Sequence, residues 1–118
     1  MATKILVVDD EPLYVRLLKV NLEAEGYQVS SASNGEEALD LLSHDLPDLI
    51  ILDVIMPKLD VIKTCERIRQ FSTVPIILLT ALGVEQDCAN GLTIGADDYI
   101  VKPFSANSIV SSVPGGLR

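Results

Sequence analysis

The stretch Asp48-Leu-Ile-Ile-Leu-Asp53, DLIILD, decides how the rest of the chain is read. It is apolar on both faces of an extended strand, with no alternation of apolar and polar residues. PIILLT, residues 75–80, repeats the pattern. Strands of this kind suit a parallel sheet covered on both sides. Working outward, three more candidates appear: Lys4–Val8, Gln28–Ala32 and Asp98–Val101.

Helix-period segments fill the gaps. Tyr14, Leu17, Leu18 and Leu22 form one apolar stripe, and Ala38, Leu41 and Leu42 a second. The second helix has good start chemistry, with Ser33 or Asn34 as cap and Glu36 or Glu37 three residues on. Asp60 is placed to cap a third helix, whose inward stripe is Val61, Cys65 and Ile68 flanked by Ile62. A fourth runs from Glu85 to Ile94 and stops at Gly95. Strict alternation of strand and helix predicts a doubly wound α/β domain with a five-stranded parallel sheet and right-handed crossovers.

At 118 residues the chain holds one domain. Its apolar runs are far too short to span a bilayer, and the start, MATKI, has no apolar secretory segment; the expected location is the cytoplasm. Seventeen acids against nine bases give a net charge of −8, which disfavours direct nucleic-acid binding and is compatible with a divalent cation. Cys65 and Cys88 lack metal-ligand spacing and read as reduced core thiols.

In doubly wound folds, ligands bind outside the carboxyl ends of the strands. Here the first strand ends in Asp9 and Asp10, the third in Asp53, the fourth in Thr80 and the fifth in Lys102. The second, ending near Ala32 and Ser33, offers nothing comparable. Crowded carboxylates repel and are expensive to desolvate, so a cation is expected among them. Oxygen ligands suit a hard ion, which points to Mg²⁺. A carboxylate can also attack phosphorus to give an acyl phosphate, with a lysine and a hydroxyl positioned to stabilise the transferring group. Glu11 reads as a solvated neighbour. His44, in HDLPD, reads as a surface loop residue far from the site.

Four stretches carry a family resemblance: VVDDEP (7–12), LIILDVIMP (49–57), IILLTA (76–81) and GADDYIVKPF (95–104). In this order they resemble the receiver domain of two-component response regulators. The last is most similar to receivers of winged-helix (OmpR-type) transcription factors. The resemblance implies a flavodoxin-like sheet of order 2-1-3-4-5. It implies phosphorylation on Asp53, with Asp10 on Mg²⁺ directly, Asp9 through a water and the Ile55 carbonyl completing the site. Thr80 and Lys102 would contact the phosphoryl group. Tyr99 would be the switch aromatic that follows Thr80, and the Lys102–Pro103 bond would be cis.

The partners implied are a sensor histidine kinase and a DNA-binding output domain outside this chain. The response would be a change in the face made by the fourth helix, fifth strand and fifth helix. No external substrate would be turned over.

Departures from the family pattern carry their own expectations. Val61 stands where receivers usually have glycine, at small cost. Ile55 and Leu82, two beyond Asp53 and Thr80, cannot orient a water, so self-dephosphorylation is expected to be slow. The receiver core is read as residues 1–104. The tail, 105–118, reads SANSIVSSVPGGLR and is charge-free until Arg118; Pro114 and two glycines allow only a shortened fifth helix. In winged-helix regulators that helix brings cations to a dimer face, where here Asp97 and Asp98 lack counterparts. The tail suggests a domain cut from a longer regulator, with exposed apolar surface able to drive homodimerisation. Rival readings are a free-standing phosphorelay shuttle, a non-phosphorylated protein-binding relic, and a haloacid-dehalogenase-type phosphatase. The last needs a second Asp two residues after the nucleophile, where this chain has Ile55.

Overall fold

The computed structural model describes residues 3–53, 61–70, 72–81 and 98–102. Five parallel strands form one sheet: β1 (Lys4–Val8), β2 (Gln28–Ala32), β3 (Leu49–Asp53), β4 (Ile76–Ala81) and β5 (Asp98–Lys102), in the order β2-β1-β3-β4-β5. Three helices lie between them: α1 (Pro12–Ala24), α2 (Gly35–His44) and α3 (Val61–Arg69). The β1–α1–β2 unit steps outward, and the chain then returns past β1 to place β3 on its other side. With right-handed crossovers, opposite steps put the helices on opposite faces of the sheet. The switch in direction opens a crevice between β1 and β3.

The middle strands are apolar on both faces because both are covered, while β2 at the edge is polar and largely exposed. Every residue of β3 is buried, as DLIILD requires. On one face Leu6, Val8, Ile50, Leu52, Ile76 and Leu78 pack with Ala38 and Leu42 of α2 and with Cys65 and Ile68 of α3. On the other, Ile5, Val7, Ile51, Ile77 and Leu79 pack with Leu18 and Leu22 of α1. Each such side chain contributes roughly 1.5–3 kcal/mol relative to exposure, so the buried middle strands supply most of the sheet's stability.

The expected α1 stripe is corrected in one position. Leu18 and Leu22 are buried and Val15 packs beside them, but Leu17 is 38% exposed. Helical geometry explains the difference: Val15, Leu18 and Leu22 lie three and four apart on one side, and Leu17 sits a hundred degrees round from Leu18. β4 starts and ends one residue later than expected, and β5 reaches Lys102. His44 is not in a loop. It closes α2, exposed, with its Nε2 3.9 Å from Asp40. The expected Asp60 cap, the Glu85–Ile94 helix, Cys88, the Lys102–Pro103 bond and the 105–118 tail lie outside the described residues.

Capping chemistry sets the helix ends. Asn34 caps α2, its side chain accepting the Glu37 N–H at 2.8 Å. Glu37 reaches back, Oε2 accepting from the Ser33 hydroxyl at 2.7 Å and the Ser33 N–H at 3.2 Å. These bonds favour the carboxylate and hold its pKa below the ordinary value, so this fastening is present above the carboxyl's unfolded pKa and lost as pH falls through its folded one.

At the end of α1 the Tyr27 N–H bonds to the Leu22 carbonyl and the Gly26 N–H to that of Glu23. This is the Schellman arrangement, with Tyr27 and Leu22 in the same apolar cluster. It needs Gly26 at φ +94, and no atom lies within 4 Å of where a Cβ would stand. Gly26→Ala is therefore expected to lower unfolding free energy by about 1 kcal/mol through backbone strain alone, and Gly26→Asn by less. Urea unfolding midpoints check this.

Burial pushes the Cys65 thiol up to about 11, with the Arg69 guanidinium pulling the other way. An acid whose pKa is raised by folding stabilises the native state below its unfolded pKa and loses that contribution as pH rises towards the folded value. In a Cys88→Ser background, Cys65 should resist iodoacetamide at mildly alkaline pH until urea unfolds the chain. Fast labelling of the native protein would contradict the burial.

Candidate functional site

The crevice between β1 and β3 is where the sequence puts its acids. The register pairs Val8 with Leu52, so Asp9 continues level with Asp53, the last residue of β3. Asp9 is 2% exposed and Asp53 1%, while Asp10 is exposed. One carboxylate oxygen from each of Asp9, Asp10 and Asp53 falls within 4.8 Å of the others. Two of these three acids are therefore buried side by side at the end of two strands whose other buried residues are all aliphatic.

Local bonds hold the first acid in place. The Asp9 Oδ1 accepts the Glu11 N–H at 3.0 Å, an Asx-type turn that fixes the carboxylate as the chain enters α1. The Asp9 N–H donates to the Ala32 carbonyl at 3.1 Å, tying it to the end of β2. Glu11 occupies the cap position of α1 in extended backbone without a side-chain cap bond, and Pro12 follows at the first helical position. Pro12 suits that place, where the missing N–H has no helical partner to lose. Among the described residues no buried side-chain nitrogen or oxygen lacks a hydrogen-bond partner.

Thr80 is fully buried, next to last in β4, one residue beyond the level of Asp53: the register pairs Asp53 with Leu79 and Thr80 with Val101. The backbone of Lys102 closes β5 opposite Ala81, and that of Tyr99 pairs with Leu78. Four strands thus deliver the predicted residues to one edge of the sheet. Ile55 and Leu82 lie outside the described residues.

The end of the second strand contributes more to the site than its residue types suggest. A cleft of about 190 Å³ beside the acids is lined by Asp9 and Asp10 on one side and by Ser31, Ala32, Ser33 and Glu37 on the other. The sequence signal was present in SSASNGEE, where the pattern is legible as a helix start, but its place beside the acids depends on strand pairing.

The donor set fits a hard cation. Mg²⁺ takes oxygen ligands at about 2.1 Å, and one carboxylate oxygen from each of the three acids converges within 4.8 Å of the others. Ionised carboxylates this close repel one another, most where they are shielded from water. A divalent ion removes that repulsion.

The family model of the response regulator receiver domain matches residues 5–114. The chain belongs to this family. Among curated relatives, the receiver domain is 52% identical over 115 residues to the probable transcriptional regulator ycf27 of Porphyra purpurea, covering 98% of this chain and 47% of that protein. It is 51% identical over 119 residues to PhoP, the alkaline phosphatase synthesis transcriptional regulatory protein of Bacillus subtilis (strain 168), covering 100% and 50%. The chain thus spans about half the length of the curated relatives it matches. A crystal structure of a two-component response regulator from Clostridium difficile superposes with a TM-score of 0.89 at 34% identity, covering 94% of this chain and 92% of that one. No helix among the described residues is long and apolar enough to cross a membrane.

The receiver domain's acid cluster leads to a prediction of opposite effects from one substitution. Asp10→Asn should raise the stability of the metal-free protein by about 0.5–1 kcal/mol, since it removes an exposed but mutually repelled charge. The same change should abolish any stabilisation that added Mg²⁺ gives the wild type. Thermal melts with and without Mg²⁺ read both effects.

Proposed function

We propose that this receiver domain takes a phosphoryl group from a sensor histidine kinase onto Asp53 in a Mg²⁺-dependent reaction, and uses it to control an output. The observation that carries the reading is the meeting of Asp53 with Asp9 and Asp10 inside 4.8 Å at the carboxyl end of the central strand. Asp9, Asp10, Asp53 and the carbonyl of Ile55 are the residues that would hold the ion. A bound Mg²⁺ supplies neutralisation of charge on the phosphoryl oxygens.

In the transfer, an Asp53 carboxylate oxygen forms a bond to phosphorus while the phosphorus–nitrogen bond of the donor phosphohistidine breaks. The imidazole leaves with the bonding pair and takes up a proton, and Asp53 is left as an acyl phosphate. Lys102 pairs with the phosphoryl group, and the Thr80 hydroxyl donates to one of its oxygens. Movement of Thr80 towards the phosphoryl group draws Tyr99 with it, so that the β5 face of the molecule changes between two states. Reaction at Asp53 is stoichiometric, and no external substrate is turned over.

Leu13, Leu17 and Val20 stand exposed at 77%, 38% and 59% along α1, whose first residue borders the cleft. At spacings of four and three residues they make one apolar stripe on the helix that starts at the cleft, a fitting place for the kinase. The output is transcription, through a DNA-binding domain joined to this one, as the coverage and names of the ycf27 and PhoP relatives favour. The receiver unit is read as residues 1–104, followed by an atypical tail over residues 105–118, and the protein as cytoplasmic.

Intact mass after incubation with acetyl phosphate and Mg²⁺ tests the reading. Wild type should gain a single phosphoryl adduct, and Asp53→Asn or chelation should prevent it. A folded wild-type chain that gains none would move the unphosphorylated, protein-binding alternative to the front. The apolar Ile55 and Leu82 should make the adduct long-lived, and decay within seconds in Mg²⁺ buffer would contradict that.

A further inference from the structure

The cleft beside the acids has two walls, and only one of them belongs to the residues that would hold the cation. The other is the β2–α2 turn, which is fastened more heavily than a helix start requires. Asn34 alone satisfies the Glu37 N–H. The Glu37 carboxylate then takes two further bonds from Ser33, from its hydroxyl at 2.7 Å and its N–H at 3.2 Å. Ser33 directly follows Ala32, whose carbonyl accepts the Asp9 N–H at 3.1 Å. An unbroken path therefore runs from the Glu37 carboxylate through Ser33 and the Ala32 carbonyl to the backbone of Asp9. Glu37 also lines the same cleft as Asp9 and Asp10.

We infer that Glu37 is a positioning residue for the cation site, setting the place of Asp9 by clamping the turn that accepts its N–H. The inference rests on the reading above that Asp9, Asp10 and Asp53 hold Mg²⁺. Asp9 is buried and bonded on two sides, by the Glu11 N–H at its carboxylate and by the Ala32 carbonyl at its own N–H. Its carboxylate can therefore follow the backbone but adjust little on its own. A cation that demands near-ideal octahedral geometry is sensitive to the place of every group that fixes its shell, including a carboxylate that holds a coordinated water as Asp9 would. Partners behind the ligands orient them, and their loss weakens metal binding without touching the ligands.

The test is the Mg²⁺ dissociation constant of the full chain, from amide chemical-shift titration, in wild type, Glu37→Ala, Glu37→Gln and Ser72→Ala. Glu37→Ala should weaken Mg²⁺ binding roughly three- to tenfold, less than loss of a ligand's direct partner, because the effect travels through backbone. Glu37→Gln keeps an oxygen to accept from Ser33 and should recover most of the affinity. Ser72→Ala removes the bond from the Val74 N–H to the Ser72 hydroxyl at the opposite end of the sheet, and should leave affinity unchanged. Unchanged binding in Glu37→Ala would overturn the inference. So would a Gln variant as weak as Ala, which would make Glu37 a source of field and not of position, or an equal loss in Ser72→Ala, which would make the effect general loosening. A wild type that binds no Mg²⁺, or an Asp10→Asn variant that binds as well as wild type, would overturn the reading beneath it and this inference together.

Discussion

The structure turns on the crowding of three carboxylates, Asp9, Asp10 and Asp53, at the point where the strand order reverses. Two of the three are buried, and their oxygens lie within 4.8 Å. That arrangement is electrostatically unfavourable by itself and would not persist on a loose scaffold, because the acids would rotate apart into water. It holds because β1 and β3 are buried on both faces and locked in register, so the residues following Val8 and Leu52 have nowhere else to go. The stability of the hydrocarbon sheet is what holds the charge in place.

The same constraint explains why the site is made of strand ends and not of loop residues. A strand fixes the position of its last residue to within the tolerance of its ladder bonds, and five parallel strands aim all their carboxyl ends at one edge. Asp53, Thr80 and Lys102 each close or nearly close a strand. Asp10, one residue further from the ladder than Asp9, is the exposed member of the acid set. This gradation gives the site two rigid walls and one adaptable acid, a combination suited to an ion that must be taken up from water.

The turn after β2 extends this logic to the far side of the cleft. Capping bonds are ordinarily local devices that satisfy the first turn of a helix. Here the cap of α2 shares a backbone with the carbonyl that tethers Asp9, so local helix-start chemistry and the geometry of the acids are mechanically joined. The Schellman turn at Gly26 performs a related task one element earlier, delivering the chain from α1 into β2 at the right level to pair with β1.

Most of this was legible without coordinates. The double-faced apolar runs DLIILD and PIILLT imply a parallel sheet covered on both sides, because a strand that buries both faces cannot alternate. Asp9, Asp10, Asp53, Thr80 and Lys102 are legible as strand-end residues because each follows an apolar run, which is where a strand leaves the core. What the sequence could not decide was anything requiring two distant segments to be placed together. That Leu17 faces outward while Val15 faces in depends on where the sheet lies against α1, and both are equally apolar. That Asp9, not Asp10, stands level with Asp53 depends on a register that one residue's slip would reverse. That SSASNGEE forms the second wall of the acid cleft depends on β2 pairing beside β1. Periodicity is a property of one segment and survives in the sequence. Register and adjacency belong to pairs of segments, and only the folded sheet decides them.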